Sequence, residues 1–380
     1  MKIIKVLYLL TILAVLTGLL STGCEKPGLT EYNDPNPAGG NPPILSSVVP
    51  ATAFLMDTVT ISGSGFSGNV VHNFIKFGNK AATILSATAS EIKAIVPEGS
   101  GDTVKVQVAV RGAVNWSEGI DFAFKQTITI LDEEIVHPCG VAVDKNGDVY
   151  VGGRGAQSIF KISSSGEKSV FVADIPVNGA MHFGPDNYLY VCEQDEGKIV
   201  RITSDGNTVE DFITANGPID FDWDSNGTLY VVSNWEGIYR KNASGALDYV
   251  VEDENIKTIR ILNDKVYAGG SWANEGYRFD ITGSGLENKE VIISADDLVF
   301  GMDLDINGRL YYGIYSDPTL HTLDSDGTEG SMYGGMLTAP MRFMTYFGKC
   351  IYAVNTGGGD AGVVLKIYTG VEGIPRYGVN

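Results

Sequence analysis

Hydrophobic and polar positions alternate in short bursts along most of the chain, and the bursts come in repeating sets. A core resembling Asn-Gly-x-Leu-Tyr-Val recurs six times: KNGDVYVGG (145–153), DNYLYVCE (186–193), SNGTLYVVS (225–233), NDKVYAGG (263–270), NGRLYYGI (307–314) and GKCIYAVN (348–355). Its tyrosines are 150, 190, 230, 267, 311 and 352. Each unit holds four strand-like runs; in the first they are GVAVD, DVYVG, SIFKIS and KSVFVAD. Asn-Gly and Asp-Gly pairs fall between runs, where tight hairpins need positive φ. Four antiparallel strands repeated about every 40 residues predict the blades of a β-propeller. The sixth unit supplies only MRFMT, CIYAVN and VVLKIY before a tail, GIPRYGVN, of weak strand character. TITILDE (127–133) is expected to supply its missing outer strand and close the ring, which removes exposed sheet edges.

Upstream, at 43–126, shorter alternating segments appear: DTVTIS, NFIKFG, EIKAIVP, TVKVQVAV and IDFAF. Rich in Val, Ile, Phe and Thr and separated by Gly, Ser and Asn, they predict a small β-sandwich. The expected fold class is all-β, with a small β-sandwich at 43–126 and a six-bladed β-propeller at 127–380.

The first 42 residues follow a different pattern. Lys2 and Lys5 precede a 15-residue apolar run, Val6 to Leu20, and Ser-Thr-Gly-Cys follows at 21–24. The run is short for a membrane span and has the layout of a cleavable signal peptide over residues 1–23. Residues 21–24 resemble a lipobox, with Leu20 one step further from the Cys than usual. The resemblance implies that Cys24 is acylated and that the chain is an outer-membrane lipoprotein facing the cell surface or the periplasm. Residues 24–42, with four Pro and three Gly after the Cys, lack the apolar surface to fold and read as a flexible tether.

Composition narrows the partners. The formal net charge is −19, which argues against nucleic acid or an anionic bilayer, since both call for basic patches. Membrane contact is expected through the lipid anchor only. Beyond Cys24 the chain has Cys139, Cys192 and Cys350, an odd number with no CxxC. Neither a complete disulfide framework nor a zinc–cysteine site follows.

The sandwich segment resembles the IPT/TIG family of immunoglobulin-like domains at Pro43-Ile44, Pro50, Thr60 to Phe66, Phe77-Gly78, Ile95-Val96-Pro97 and Phe122. That resemblance implies a spacer or binding module. The repeats resemble NHL-type repeats and, more distantly, the gluconolactonase/senescence-marker propellers. Both imply a fold, on which chemistry varies widely.

The repeat places candidate ligand-binding residues in two zones. On the rim away from the Asn-Gly turns lie Arg154, Glu193, Gln194, Asp195, Asn234, Trp235, Trp272, Asn274, Tyr315, Asp317, Asn355 and Thr356. Flat rings with a polar edge, beside planar hydrogen-bonding groups, suit sugars; the two Trp are equally suited to filling gaps between blades. On the inner strands, the position aligned to each tyrosine reads Ala142, His182, Asp222, Arg260, Asp303 and Met344. Ionisable groups there should face the channel, because unpaired burial is costly. They can hold a polar ligand, bind a divalent cation, or neutralise one another. The Asp-rich turns DKNGD, DSNG, DING and DSDG lack the distal ligands of a calcium loop and read as hairpins.

The leading functional expectation is a non-catalytic surface lipoprotein binding an oligosaccharide or polysaccharide through its propeller loops. An alternative is a metal-dependent lactonase, hydrolase or lyase with a divalent metal in the channel, for which Glu193, Asn234 and Asp303 are chemically suitable. A third is a scaffold in a surface protein complex.

Overall fold

The computed structural model describes residues 40–99, 101–253, 255–270, 274–356 and 362–377. The expected signal peptide, Cys24, nearly all of the tether, and Trp272 lie outside these residues.

The described chain is almost entirely β. In the first domain, Ile44–Val49, Thr58–Ser64, Glu91–Ile95 and Thr83–Ala87 form one sheet. Thr52–Ala53, Ile120–Phe124, Thr103–Val110, Asn73–Phe77 and Lys80–Ala81 form the other. Alternation sets which side chains enter the core: Val106 and Val108 are buried, whereas Lys105 is exposed between Val104 and Val106. They pack with Phe77 and Phe122 from their own sheet against Val59, Ile61 and Ile92 from the facing one. Phe77 and Phe122 meet edge to face at 4.9 Å.

Six four-stranded sheets follow. Their inner strands are Pro138–Val143, Met181–Phe183, Pro218–Trp223, Ile256–Leu262, Val299–Leu304 and Phe343–Phe347, in blades 1 to 6. The outer strand of blade 6 is Ile128–Asp132, antiparallel to Gly362–Tyr368 with Ile128 opposite Ile367. The first propeller strand thus pairs with the last, leaving no gap between chain ends.

The inner hairpins show why Asp recurs in the turns. In blade 1, Asp144 Oδ1 accepts the N–H groups of Asn146 and Asp148 at 2.9 and 3.0 Å. Asp224 and Asp305 repeat the arrangement, and the Tyr311 hydroxyl donates to the second oxygen of Asp305 at 3.1 Å. Gly147, at φ +80°, closes the first turn, where a Cβ would be strained. These carboxylates are engaged by backbone and tyrosine.

Turn length also corrects one expected alignment. In blades 1, 2, 3 and 5 the inner-strand partner lies eight residues before the tyrosine, as Ala142 does before Tyr150. Blades 4 and 6 have two-residue turns, which shorten this spacing to seven. Thr345, and not Met344, therefore lies opposite Tyr352.

The two domains touch where blades 5 and 6 meet the sandwich. The Phe54 ring stacks on Tyr368 with centroids 4.2 Å apart. Thr127 Oγ1 donates to the Gly99 carbonyl at 2.9 Å, and the Tyr333 N–H donates to the Glu98 carboxylate. Leu55 joins a core cluster with Tyr333, Leu337 and Leu365. Cys139, Cys192 and Cys350 are free thiols.

The ring-closing seam is a direct test of this topology. Ile367 is fully buried there, whereas Ile130 is exposed. Ile367→Ala is expected to cost about 2–5 kcal/mol and Ile130→Ala less than about 1 kcal/mol, read by urea denaturation.

Candidate functional site

The inner strands bring their free edges to the propeller axis, where aspartates join neighbouring blades. One oxygen of Asp222 accepts the Trp223 N–H in its own strand at 2.9 Å. The other accepts the Ile261 N–H in blade 4, also at 2.9 Å. Two residues earlier, Asp220 takes the N–H groups of Phe221 and Ile259 at 2.9 and 3.1 Å. Asp303 does the same between blades 5 and 6, accepting from Leu304 at 2.7 Å and Tyr346 at 2.9 Å.

Cations complete the network. Arg260 Nη1 lies 2.8 Å from Asp220 Oδ2, and its Nη2 donates to the Met344 carbonyl at 2.9 Å. Thr258 Oγ1 donates to Asp220 at 2.6 Å, and His182 Nε2 lies 3.1 Å from its other oxygen. Burial alone would raise the Asp220 pKa, but the Arg260 guanidinium, His182 and Thr258 outweigh it and hold the carboxyl far below the ordinary range. Burial, then Arg260, push the His182 pKa down against the pull of Asp220, which keeps the imidazole neutral at pH 7.

Weak strand character in the tail gives no sign of what its arginine does. Residues after Tyr368 cross the turn-side mouth of the channel: Ile306 N–H donates to the Glu372 carbonyl and Ile374 N–H to the Leu304 carbonyl. Arg376 then inserts between blades 3 and 5, 2.8 Å from Asp222 and also paired with Asp303. Tyr377 packs edge-on against Trp223. Burial opposes the Arg376 charge, but Asp303 and Asp222 raise its pKa well above the usual guanidinium value. The space remaining among His182, Asp222, Thr345 and Arg376 is about 60 Å³, room for waters and not for a sugar ring. The four expected channel residues thus come together around two others: His182 and Arg260 meet on Asp220, Asp222 and Asp303 meet on Arg376, and Arg260 lies 3.9 Å from Asp303.

The metal set expected from Glu193, Asn234 and Asp303 does not assemble. Asp303 lies opposite Tyr311, deep in the ring and bound to Arg376. Glu193 lies three residues beyond Tyr190, the equivalent tyrosine of blade 2, about 10 Å further along the strand. Its carboxylate is 3.4 Å from Lys198, and burial raises its pKa. Among the described residues no group of three His, Cys, Asp or Glu is placed to hold a metal ion. Glu193 and Asp303 therefore do not share one divalent-ion site.

The opposite, loop-side rim is built differently. Trp235 is 58% exposed and sits at φ +68°, a conformation costly for a bulky side chain. Its loop is clamped on both sides. Asn234 N–H donates to the Gly217 carbonyl at 2.8 Å, and the Glu236 carboxylate accepts from Asn216 and Tyr239. The ammonium of Lys257, only 6% exposed, lies 4.4 Å from the Trp235 ring centroid. Tyr315, 57% exposed, lies 5.7 Å from Phe300, over which Arg342 is placed at 5.5 Å. Arg154 meets Asp195 at 3.4 Å across blades 1 and 2. Asn355 is buried.

Lys257 and Phe300 escaped the sequence reading. Lys257 had a signal, a second cation beside Arg260 in the short strand IKTIRIL; Phe300 looks like any core residue until its neighbours are placed.

Residues 43–124 match the family model of the IPT/TIG domain. This segment is an IPT/TIG domain. No curated protein matches the chain in sequence. Solved structures do match in fold. A protein of unknown function from Bacteroides thetaiotaomicron is 15% identical with a TM-score of 0.53, covering 88% of this chain and 99% of its own. An auxiliary nutrient-binding protein from the same organism is 13% identical with a TM-score of 0.50, covering 89% and 99%. A gluconolactonase from Xanthomonas campestris is 15% identical with a TM-score of 0.55, covering 63% and 89%. At these identities the likeness shows the fold alone, that of a β-propeller.

Two outcomes test the channel network. Arg376→Ala leaves Asp222 and Asp303 buried without their guanidinium and is expected to cost about 3–5 kcal/mol in urea denaturation. The pKa values of His182 and Asp220 are both lower in the folded state. Their stabilisation is therefore present above the unfolded values and lost as pH falls: below about 6.5 for His182 and below about 4 for Asp220. The denaturation midpoint should drop between pH 7 and pH 5, and His182→Gln should flatten that slope.

Proposed function

We propose that this protein is a ligand-binding lipoprotein, anchored through Cys24 at the outer membrane, whose loop-side rim takes an oligosaccharide or polysaccharide without catalysis. The observation that carries the reading is Trp235: a large ring held in a strained conformation, backed by a buried cation and left open to solvent. Strain of this kind persists where the surroundings enforce it, and it clusters at ligand sites. A ring fixed in this way offers a flat apolar face to the CH face of a sugar at little entropic cost. Tyr315 supplies a second exposed ring, and Arg154, Glu193 and Asn234 supply polar groups at the same ends of the blades.

The fold likeness to an auxiliary nutrient-binding protein supports a ligand-binding role. The likeness to a gluconolactonase raises the hydrolytic alternative. The engagement of Asp303 and the distance of Glu193 from it count against a metal-centred reaction in the channel. The described contacts between the domains involve turn ends and outer strands of blades 5 and 6, so an anchored protein would present the loop ends that carry Trp235 and Tyr315.

A glycan array probed with the folded protein tests this reading. We expect at least one saturable ligand, with Trp235→Ala weakening it about tenfold or more, equivalent to about 1.4 kcal/mol, and with the thermal melt unchanged. Failure of the folded protein to bind any glycan, or wild-type affinity in Trp235→Ala, would overturn it.

A further inference from the structure

A second concavity opens on the turn side, away from Trp235 and Tyr315. It is a cleft of about 610 Å³ between the IPT/TIG domain and blades 6 and 1. Its size and its position at a domain junction are those of small-molecule sites. Phe54, from the IPT/TIG domain, and Tyr368 form one wall as a stacked pair. Phe347, Leu131 and Tyr352 line it from blade 6, and the hairpin at Ser163–Gly166 gives a polar edge.

Three lysines gather at or beside this cleft without a carboxylate partner among the described residues, an arrangement that Lys76 over Trp116 and Lys241 over Phe212 show singly elsewhere. Lys161, Lys168, Lys198, Lys265 and Lys289 each have a carboxylate within 4 Å, as a net charge of −19 makes easy. Lys349 and Lys366, which line the cleft, and Lys125 beside it do not. Lys125 lies over the Phe54 ring at 4.8 Å and Lys366 over the Tyr352 ring at 5.6 Å. Lys349, exposed, lines the mouth. None of the three forms an ion pair among the described residues. Of the nearby acids, Asp57 accepts the Phe54 N–H at 2.9 Å, and Glu372 flanks Gly348. Ammonium groups set above aromatic rings at the edge of an apolar cleft suit a ligand with a flat apolar body and an anionic end.

We propose that the cleft between the IPT/TIG domain and blades 6 and 1 is a binding site for a small aromatic anion. Its ring lies against Phe347 and the edge of the Phe54–Tyr368 stack, and its carboxylate or sulfonate meets Lys349 and Lys366. The site requires both domains, with Phe54 coming from one and Phe347, Lys349 and Lys366 from the other. It is independent of the glycan reading, because none of its residues belongs to the loop-side rim.

Fluorescence titration of the full chain with 8-anilinonaphthalene-1-sulfonate tests the proposal. One saturable site is expected, weakened by added salt and at least tenfold weaker in Lys349→Glu/Lys366→Glu, with Trp235→Ala unchanged. An affinity unaltered in the double variant, or lost equally in Trp235→Ala, would overturn it. Cys350 lines the same cleft, so a second measurement needs no lysine variant: the probe should slow alkylation of Cys350 at least fivefold, and an unchanged rate would also overturn the proposal.

Discussion

Each blade is a four-stranded sheet, and its inner strand turns a free edge of N–H and C=O groups towards the propeller axis. Buried backbone groups need partners, and six strands converging on one axis lie too obliquely to pair as a continuous ladder. Single backbone bonds meet part of the requirement: Ala180 N–H reaches the Ile219 carbonyl at 2.8 Å and Gly301 N–H the Arg342 carbonyl at 2.9 Å. These approaches depend on small residues, since a Cβ on Gly301 would lie 2.8 Å from the Arg342 oxygen. Between blades 3 and 4 and between blades 5 and 6 aspartates meet more of it, each joining its own strand to the next blade. Carboxylates buried for this purpose then call for cations, which are Arg260 from within the ring and Arg376 from the tail. Burying such ions is costly unless every partner is present, so ring, network and tail behave as one structure.

This arrangement divides the molecule by depth. The centre of the ring is polar but closed, its groups engaged with one another and its turn-side mouth covered by the tail. Open surface of useful chemistry lies at the two ends. At the loop end, Trp235 and Tyr315 project from turns between strands, beside Lys257 and Phe300. At the turn end, the IPT/TIG domain builds a wall that the propeller alone lacks. Fold likeness to both a nutrient-binding protein and a gluconolactonase fits a frame whose chemistry depends on which side chains occupy the axis and the rims.

The all-β class, the immunoglobulin-like segment and the propeller repeat were legible because each rests on local rules. Alternation marks strands, Asn-Gly and Asp-Gly mark hairpins, and a tyrosine recurs in every unit. The channel residues His182, Asp222, Arg260 and Asp303 were legible too, because charges within apolar inner strands stand out. What they do was not, since their roles depend on partners from other blades. Asp222 and Ile261 are 39 residues apart and Asp222 and Arg376 are 154 apart, separations that no local pattern encodes. The Met344 alignment failed for a local reason, a two-residue turn that shifts strand spacing by one. Lys257 beneath Trp235 and the lysines of the domain cleft show the same limit: hydrophobic period and turn chemistry act between neighbours in sequence, whereas the pairing of a charge with a ring or a carboxylate is settled only when the ring has closed and brought them within a few ångströms.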